Sequence, residues 1–222
     1  MFVGHFGAGL ATKKVAPAIS LATAFLAVQW LDLVWPVLVL AGIEKVEILP
    51  AGQGPLPLSF TFYPYSHSLL AAIVWAVLIG SIYFMVKRDR KTSIIVGILV
   101  MSHWLLDLLV HVPDLPLTPF GETRLGMGLW NYKYPEFIGE LILYLAGAYY
   151  YLKATKPRRP LSNIVFWSLI VFLLVIHVAN SFGPPPPSVT AVGIAGLSQW
   201  LIIAWAWWAD KLRIASAQSN LL

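Results

Sequence analysis

One short stretch of the chain carries three side chains that can bind metal ions at helical spacing. His103, Asp107 and His111 recur at every fourth position of the segment His-Trp-Leu-Leu-Asp-Leu-Leu-Val-His. In an α-helix this spacing places all three on one face over about two turns. Glu136 and Glu140 repeat the spacing further along. Imidazole and carboxylate groups suit divalent ions such as Zn²⁺, so the pattern indicates a metal site.

Three more ionisable residues, Asp32, His67 and His177, lie within or at the ends of apolar runs. A single such residue can simply hydrogen-bond across a helix interface, and for His177 a local pair with Asn180 is an alternative. A set at one depth favours a function, since charge is costly in lipid. Counting about 1.5 Å per residue from the nearest basic cluster places Asp32, His67 and Asp107 in one layer.

The elements that must position these residues are long apolar runs. The chain has 222 residues, of which 59% are hydrophobic and 11% charged, and its mean hydropathy is +0.75. Runs long enough to span about 30 Å of hydrocarbon occur at about 16–42, 67–86, 93–112, 136–152, 162–180 and 190–209. The sequence therefore predicts an all-α, polytopic membrane bundle of about six helices. Residues 1–222 form one domain, with the candidate site in 1–140 and two further helices in 160–212.

The basic residues predict the orientation of the bundle. They cluster at Lys13–Lys14, Lys87–Lys91, Lys153–Arg159 and Lys211–Arg213, which lie on one side if both termini are cytoplasmic. This arrangement explains the net charge of +5 without nucleic-acid binding. The opposite side receives the loops at about 43–66 and 113–135. Those loops carry Arg124 and Lys133, two cations that could contact an anionic substrate.

The ends of the chain and its small residues add further expectations. The first twelve residues are apolar but too short to span, which predicts a half-helix or re-entrant segment that could bring His5 to the site. Pro36 predicts a kink in the first long helix. Gly193 and Gly196 permit close helix approach, either inside the bundle or in an oligomer. Cysteine is absent, which excludes thiolate metal sites.

The order of these residues resembles the membrane-bound metal-dependent hydrolases, also called the LexA-binding, inner-membrane-associated hydrolases. The resemblance covers roughly the first 140 residues. It rests on Gly4-His5, Leu31-Asp32, Tyr65-Ser66-His67-Ser68-Leu69 and Ser102-His103-Trp104-Leu105-Leu106-Asp107. The family is similar to the zinc-dependent phospholipase C and nuclease superfamily, whose members are helical enzymes with three clustered zinc ions. The resemblance implies a location in the bacterial inner membrane.

The resemblance also implies a set of ligands for two or three ions, Zn²⁺ or alternatively Mn²⁺. Asp32, His67, His103 and Asp107 would surround one ion, Asp107 would bridge to a second held by His111, Glu136 and Glu140, and His5 would lie near a third. The soluble relatives use His and Asp where this chain has the two glutamates. The sequence does not decide the number or the identity of the metals.

These observations together predict a phosphoesterase. Clustered divalent ions would activate water and stabilise charge on a phosphoryl group, with Asp107 central and Arg124 or Lys133 contacting phosphate oxygens. A site in the outer half of the membrane favours an amphiphilic substrate such as a lipid phosphate, with membrane lipids as partners. Two alternatives remain open: a permease or ion transporter, and a non-catalytic membrane scaffold. The sequence does not predict the oligomeric state.

Overall fold

The computed structural model describes residues 1–50 and 56–216 and is predominantly helical. The all-α prediction is confirmed, and part of the predicted loop at 43–66, residues 51–55, lies outside the described residues. The helices are α1 (Val3–Val15), α2 (Leu21–Val28), α3 (Trp30–Leu40), α4 (Pro64–His67), α5 (Leu69–Lys87), α6 (Arg90–Val110), α7 (Lys133–Ala154), α8 (Pro160–Phe182), α9 (Val189–Leu197) and α10 (Gln199–Lys211).

Three short antiparallel strand pairs and one 3-10 turn complete the fold. Strand β1 (Lys45–Ile48) pairs with β2 (Leu58–Phe62), β3 (Leu115–Pro116) with β4 (Arg124–Leu125), and β5 (Thr155–Pro157) with β6 (Arg213–Ala215). The 3-10 turn is Leu129–Asn131. The first two pairs occupy the predicted outer loops, and the third joins the end of α7 to the end of α10.

Fewer membrane spans are found than the six predicted. In the described part of the chain, α5, α6, α8 and the continuous segment Val189–Lys211 are long and apolar enough to cross a membrane. The pair α2 and α3, bent by 54°, raises the number to five if it forms one broken span. The remaining predicted run, 136–152, folds as the 22-residue helix α7. Glu136 and Glu140 lower its hydropathy, so the count of six is not confirmed.

Helix α1 occupies the interior of the bundle, as a half-helix that cannot span alone would require. Its 13 residues measure about 20 Å at 1.5 Å per residue. Val3, Phe6 and Leu10 are fully buried in the hydrophobic core. A methyl group on Gly7 would lie 2.6 Å from the carbonyl oxygen of Leu143 in α7. The absence of a side chain at Gly7 therefore lets α1 and α7 touch along their backbones.

The first long apolar run is broken at Gln29, seven residues before the predicted kink at Pro36. Gln29 ends α2 and precedes α3, whereas Pro36 lies inside α3. Because proline has no N–H, the Asp32 carbonyl lacks its usual helical donor. The side-chain amide of Gln199 at the start of α10 lies 3.4 Å from this oxygen and donates to it. Pro36 thus connects α3 to α10.

The glycines of α9 serve packing inside the bundle. A methyl group on Gly193 would lie 2.6 Å from the Leu40 side chain, and one on Gly196 would lie 2.8 Å from Pro36. Both neighbours belong to α3. Of the two interpretations of this segment, the structure supports close approach of α9 to α3.

A second polar group lies at the end of the bundle that carries the basic residues. Asp210 of α10 accepts hydrogen bonds from Lys13 Nζ (3.0 Å), the Leu21 backbone N–H (3.1 Å) and the Tyr151 hydroxyl (2.8 Å). We call Lys13, Tyr151 and Asp210 the Asp210 cluster. It joins α1, α2, α7 and α10, and both carboxylate oxygens of Asp210 have hydrogen-bond donors.

Candidate metal centre

Five of the predicted ligands meet at the opposite end of the bundle, and we call them the His103 cluster: His5, Asp32, His67, His103 and Asp107. Ligand atoms of His5, His103 and Asp107 all lie within 4.8 Å of one another, and so do those of Asp32, His67 and His103. The residues come from α1, α3, α4 and α6. All except Asp32 are at most 5% exposed. The predicted convergence of residues distant in sequence is therefore present in the fold.

The protonation of His103 can be inferred from its partners. Its Nδ1 lies 2.6 Å from the carbonyl oxygen of Val28, which can only accept a hydrogen bond. The hydrogen is therefore on Nδ1, and in the neutral ring Nε2 carries a lone pair. Nε2 lies 3.1 Å from Asp107 Oδ2 and 3.8 Å from Asp32 Oδ1. Neither contact has hydrogen-bond geometry, so this buried nitrogen has no hydrogen-bond partner among the described residues.

His67 is held in the same way through a two-step relay. Ser66 Oγ donates its only hydrogen to Glu44 Oε2 at 2.6 Å. It can therefore only accept from His67 Nδ1, which lies 2.7 Å away. The Nε2 atom of His67 is left with a lone pair, 3.3 Å from Asp32 Oδ1 and 3.9 Å from Asp107 Oδ2.

Glu44 is a functional candidate that the sequence analysis missed. It is 1% exposed and also accepts hydrogen bonds from the backbone N–H groups of Tyr65 (2.8 Å) and Ser66 (2.9 Å). These bonds fix the start of α4, where Pro64 occupies the first turn. Glu44 precedes strand β1 in the predicted outer loop at 43–66. The Ser66-His67 dipeptide was the sequence signal for a residue such as Glu44. A serine that accepts a hydrogen bond from a ligand histidine must donate its own hydrogen to another acceptor.

His5 approaches the cluster from α1. Its ring stacks on that of His103 with centroids 3.8 Å apart and an interplanar angle of 8°. His5 Nε2 lies 3.0 Å from Asp107 Oδ1, which also accepts from the amino group of Met1 at 2.8 Å. In the described part of the chain His5 Nδ1 has no hydrogen-bond partner. Asp107 thus faces His5 with one oxygen and His103 with the other.

The donor set fits a divalent metal ion. Two imidazole lone pairs, on His67 and His103, face the two carboxylates of Asp32 and Asp107 across less than 4 Å. Lone pairs and negative charges at such distances repel unless a cation lies between them or they bind protons. Histidine ligands in metal sites commonly donate their second ring N–H to a carbonyl or carboxylate group, as His103 and His67 do here.

His111 lies one turn beyond this cluster, at the C-terminal end of α6. Its Nδ1 donates to Asp114 Oδ1 at 2.8 Å, and its ring packs on Trp130 with centroids 3.8 Å apart. The Tyr63 hydroxyl lies 3.4 Å from the same Nδ1 atom, and burial raises the pKa of Tyr63. His111 is outside both close ligand groups. It nevertheless lines the same cavity as Asp107.

The two glutamates of α7 contact the N-terminal segment. Glu140 Oε2 accepts from the backbone N–H groups of Phe2 (2.8 Å) and Gly4 (3.0 Å) and so holds α1 in place. Glu136 lies one helical turn before Glu140 on the same face of α7. Neither belongs to the two close ligand groups of the described residues. The contacts of Glu140 position α1, which carries His5, and a second ion beside the two glutamates stays a prediction.

The two predicted phosphate-contacting cations lie elsewhere. Arg124 pairs with Pro116 in the β3–β4 pair, and Lys133 Nζ lies 4.6 Å from the ring centroid of Phe182. Neither lines the cavity at the cluster. His177 is also outside, with its Nε2 3.3 Å from the Phe137 carbonyl and its ring stacked on Phe137. His177 is therefore held by α7 rather than by its neighbour Asn180.

A cavity of about 220 Å³ opens beside the cluster. One wall carries Asp32, His67, Asp107 and His111. Met1, whose amino group donates to Asp107 Oδ1, also lines the cavity. The other lining residues are aromatic, small and apolar, or carry amides: Trp35, Leu58, Phe60, Tyr63, Trp130, Asn180, Gly196 and Gln199. No Lys or Arg is among them, so the Met1 amino group is the cation of this wall. The candidate metal ligands thus face a small space suited to part of a ligand.

One protein family matches the chain. The model of the YdjM inner membrane protein family aligns with residues 64–183, more than half of the 222 residues. The match includes His67, His103 and Asp107 and stops before α9. No curated protein and no solved structure shows significant similarity to the chain.

Proposed function

The chain belongs to the YdjM inner membrane protein family, and from this premise we propose that it is a membrane-embedded, metal-dependent hydrolase that cleaves a phosphoester of an amphiphilic substrate. The family and the apolar helices make it an integral membrane protein. The reaction is inferred from the His103 cluster. Zn²⁺ is the preferred ion, with Mn²⁺ as the alternative.

One observation carries the proposal: the Nε2 lone pairs of His67 and His103 converge on the carboxylates of Asp32 and Asp107. Acceptors hold the Nδ1 hydrogens of both rings, namely the Val28 carbonyl and Ser66 Oγ. A purely structural cluster would pair each buried lone pair with a donor. This one presents four groups that provide electron pairs; the Met1 amino group donates to Asp107 Oδ1, but the buried Nε2 of His103 has no donor among the described residues.

His103 belongs to both close ligand groups. Because one imidazole nitrogen binds one ion, His103 would hold an ion together with either Asp32 and His67 or His5 and Asp107. A divalent ion there supplies an activated water nucleophile and positive charge for phosphoryl oxygens. His5 stacks on His103 and fixes the second oxygen of Asp107. Phe60 and Trp130 supply aromatic surface to the cavity wall.

We infer that the cluster lies near the outer leaflet, and the distance along α6 supports this position. His103 follows Arg90 by thirteen residues, or about 20 Å, and Arg90 belongs to the basic, cytoplasmic side. This topology requires α7 to cross as a sixth span and places both termini in the cytoplasm. Since the chain lacks cysteine, single cysteines replacing Glu122 and Lys156 can test it in intact cells. An impermeant maleimide should label position 122 only; labelling of both would refute the topology.

The direct test is metal content together with phosphoester hydrolysis. Detergent-purified wild type should carry stoichiometric Zn²⁺ or Mn²⁺, and His103→Ala should lose it. His177→Ala is the matched control, because His177 is an equally buried helix histidine outside the cluster. The metal-loaded wild type and the control should hydrolyse lipid phosphoesters, and His103→Ala should not.

Two results would overturn the proposal and favour its alternatives. Metal binding without hydrolysis of any soluble or lipid phosphoester would favour a transporter. Folded wild-type protein that binds no metal, with Asp107→Ala impairing folding alone, would favour a scaffold.

A further inference from the structure

A groove of about 640 Å³ runs along the lateral surface of the bundle, and we call it the α5–α6 groove. Its lining extends from Ile73 to Met85 in α5 and from Arg90 to Met101 in α6. It shares no residue with the cavity beside the His103 cluster. Both helices are long and apolar enough to cross a membrane, and only 17% of the α5 span is buried. The groove therefore opens toward lipid.

Two glycines bring α5 and α6 close together along the groove. A methyl group on Gly97 would lie 3.0 Å from the Ala76 carbonyl oxygen, and one on Gly80 would lie 3.1 Å from the Ser93 carbonyl oxygen. At these positions no side chain fills the surface between the helices. Apart from Arg90, the lining consists of apolar residues and two serines, without Asp or Glu. The α5–α6 groove is thus an apolar channel with one charged lining residue.

That charged residue lies at one end of the groove, within a cationic turn. Arg90 is the first residue of α6. The turn 87–91 holds four Lys and Arg residues and one acid, Asp89, which gives it a net charge of +3. The Asp89 carboxylate accepts hydrogen bonds from the backbone N–H groups of Lys91 and Thr92 and so caps α6. Among the described residues Arg90 has no ion pair, so its guanidinium is available to an external anion.

We propose that the α5–α6 groove binds an anionic phospholipid, with one acyl chain along the groove and the headgroup phosphate at Arg90. The α6 lining from Arg90 to Met101 rises about 16 Å at 1.5 Å per residue. Half of a hydrocarbon core of roughly 30 Å has nearly the same depth. An acyl chain of one leaflet therefore matches the groove in length, while its headgroup lies at the surface where α6 begins.

The charge of the turn 87–91 favours a net-anionic lipid over a zwitterionic one. A guanidinium group binds phosphate oxygens through paired hydrogen bonds. Each Lys or Arg near the membrane surface strengthens the attraction of an anionic lipid about fivefold. A zwitterionic headgroup places its own ammonium among the same excess cations, which offsets the gain from its phosphate.

The same charge argues against a second copy of the chain as the occupant. Two copies insert into one membrane in the same orientation, so a symmetric pair that meets at this groove would bring both turns 87–91 to the same depth. Two segments of net charge +3 would then lie side by side. Like charges repel, whereas an anionic headgroup neutralises the turn.

Lipid competition tests the inference on the full chain. Detergent-purified protein is offered equal amounts of phosphatidylglycerol and phosphatidylethanolamine with identical acyl chains, and native mass spectrometry counts the lipids retained. Wild type should favour phosphatidylglycerol, and Arg90→Gln should lower the ratio of the two lipids about fivefold. Lys156→Gln is the matched control, because Lys156 is an exposed cation at the same end of the bundle but outside the groove.

A second pair of variants tests the groove itself. Val77→Trp places an indole ring in the groove and should lower the number of retained phosphatidylglycerol molecules by about one. Val175→Trp is its control, because Val77 and Val175 are 64% and 58% exposed and Val175 lies in α8, outside the groove. Both valines already face outward, so each variant should keep the wild-type thermal midpoint.

The outcomes do not depend on the proposed function, because the groove is separate from the candidate metal ligands. Equal retention of the two lipids by wild type overturns the inference, and so does wild-type retention by both Arg90→Gln and Val77→Trp. A wild-type dimer that Val77→Trp converts to a monomer also overturns it, since the groove would then hold a second copy. A preference for phosphatidylglycerol that requires Arg90 and the open groove supports it, whether or not phosphoesters are hydrolysed.

Discussion

The two buried polar clusters at opposite ends of the bundle differ in how their groups are satisfied. In the Asp210 cluster, one carboxylate faces three donors, including the ammonium of Lys13 and the hydroxyl of Tyr151. In the His103 cluster, two carboxylates face imidazole nitrogens that carry lone pairs, and the Met1 amino group donates to one oxygen of Asp107. Burial is similar, but both oxygens of Asp210 have donors, whereas the buried His103 Nε2 has no hydrogen-bond partner among the described residues. A metal ion would satisfy this lone pair.

This difference separates a structural from a functional interpretation of buried charge. The free-energy cost of placing ionisable groups in a membrane applies to both clusters. Only the balance of donors and acceptors distinguishes them. The Asp210 cluster fastens α1 and α10 together, whereas the His103 cluster gathers four segments around an open cavity.

Replacing Asp107 or Asp210 by asparagine should give the largest difference between the two clusters in metal content. Asp107→Asn should reduce metal content to background. Asp210→Asn should keep the metal but lose the ion pair with Lys13, costing about 2 kcal/mol, below the range for fully buried pairs because both side chains are about 10% exposed. That cost corresponds to a fall of roughly 4–8 °C in the thermal midpoint. Metal analysis and thermal unfolding in detergent measure both, and metal loss in Asp210→Asn would refute the comparison.

A smaller effect is expected at Glu44. In Glu44→Gln, an amide N–H₂ can face Ser66 Oγ, which would then donate to His67 Nδ1 and move the ring hydrogen to Nε2. Metal affinity should fall about 10- to 100-fold. Glu47→Gln, an exposed residue of the neighbouring strand, is the control. Metal titration measures the affinity, and the ring ¹⁵N shifts of His67 report the tautomer. A wild-type shift and affinity in Glu44→Gln would exclude the relay.

The smallest effect is expected where α1 touches α7. A methyl group on Gly147 would overlap the Gly7 backbone, whereas one on Gly139 of the same helix meets nothing within 4 Å. Gly147→Ala should cost about 1 kcal/mol or slightly more and weaken metal binding a few-fold by displacing His5. Gly139→Ala should be neutral in thermal unfolding and in metal titration. Equal behaviour of the two variants would show that this contact does not position the cluster.

Much of the His103 cluster could be predicted from sequence. The four-residue spacing of His103 and Asp107 determines their common helix face, and depth along the apolar runs brings Asp32 and His67 to the same layer. The burial of the short N-terminal helix also follows from its length. Each of these depends on helix geometry alone.

The parts that could not be predicted depend on contacts between loops and helix ends. Glu44 reaches Ser66 because the pairing of Lys45 with Phe62 in β1 and β2 brings residue 44 to the start of α4. Gln199 reaches Asp32 because the α9–α10 segment passes beside Pro36. The bend at Gln29 could not be predicted, because neither a proline nor a glycine lies at that position. Arg124 and Lys133 were selected for charge and side of the membrane, which do not determine where a loop residue points.

The close contact between α1 and α7 has a consequence for biosynthesis. Helix α1 is too short to span, and its buried face meets α7 only after more than a hundred further residues have been made. Before that point α1 can pack only on the helices that precede α7, among them α2 and α6. The backbone contact that fixes α1, and with it His5, is therefore completed only after the insertion of α7.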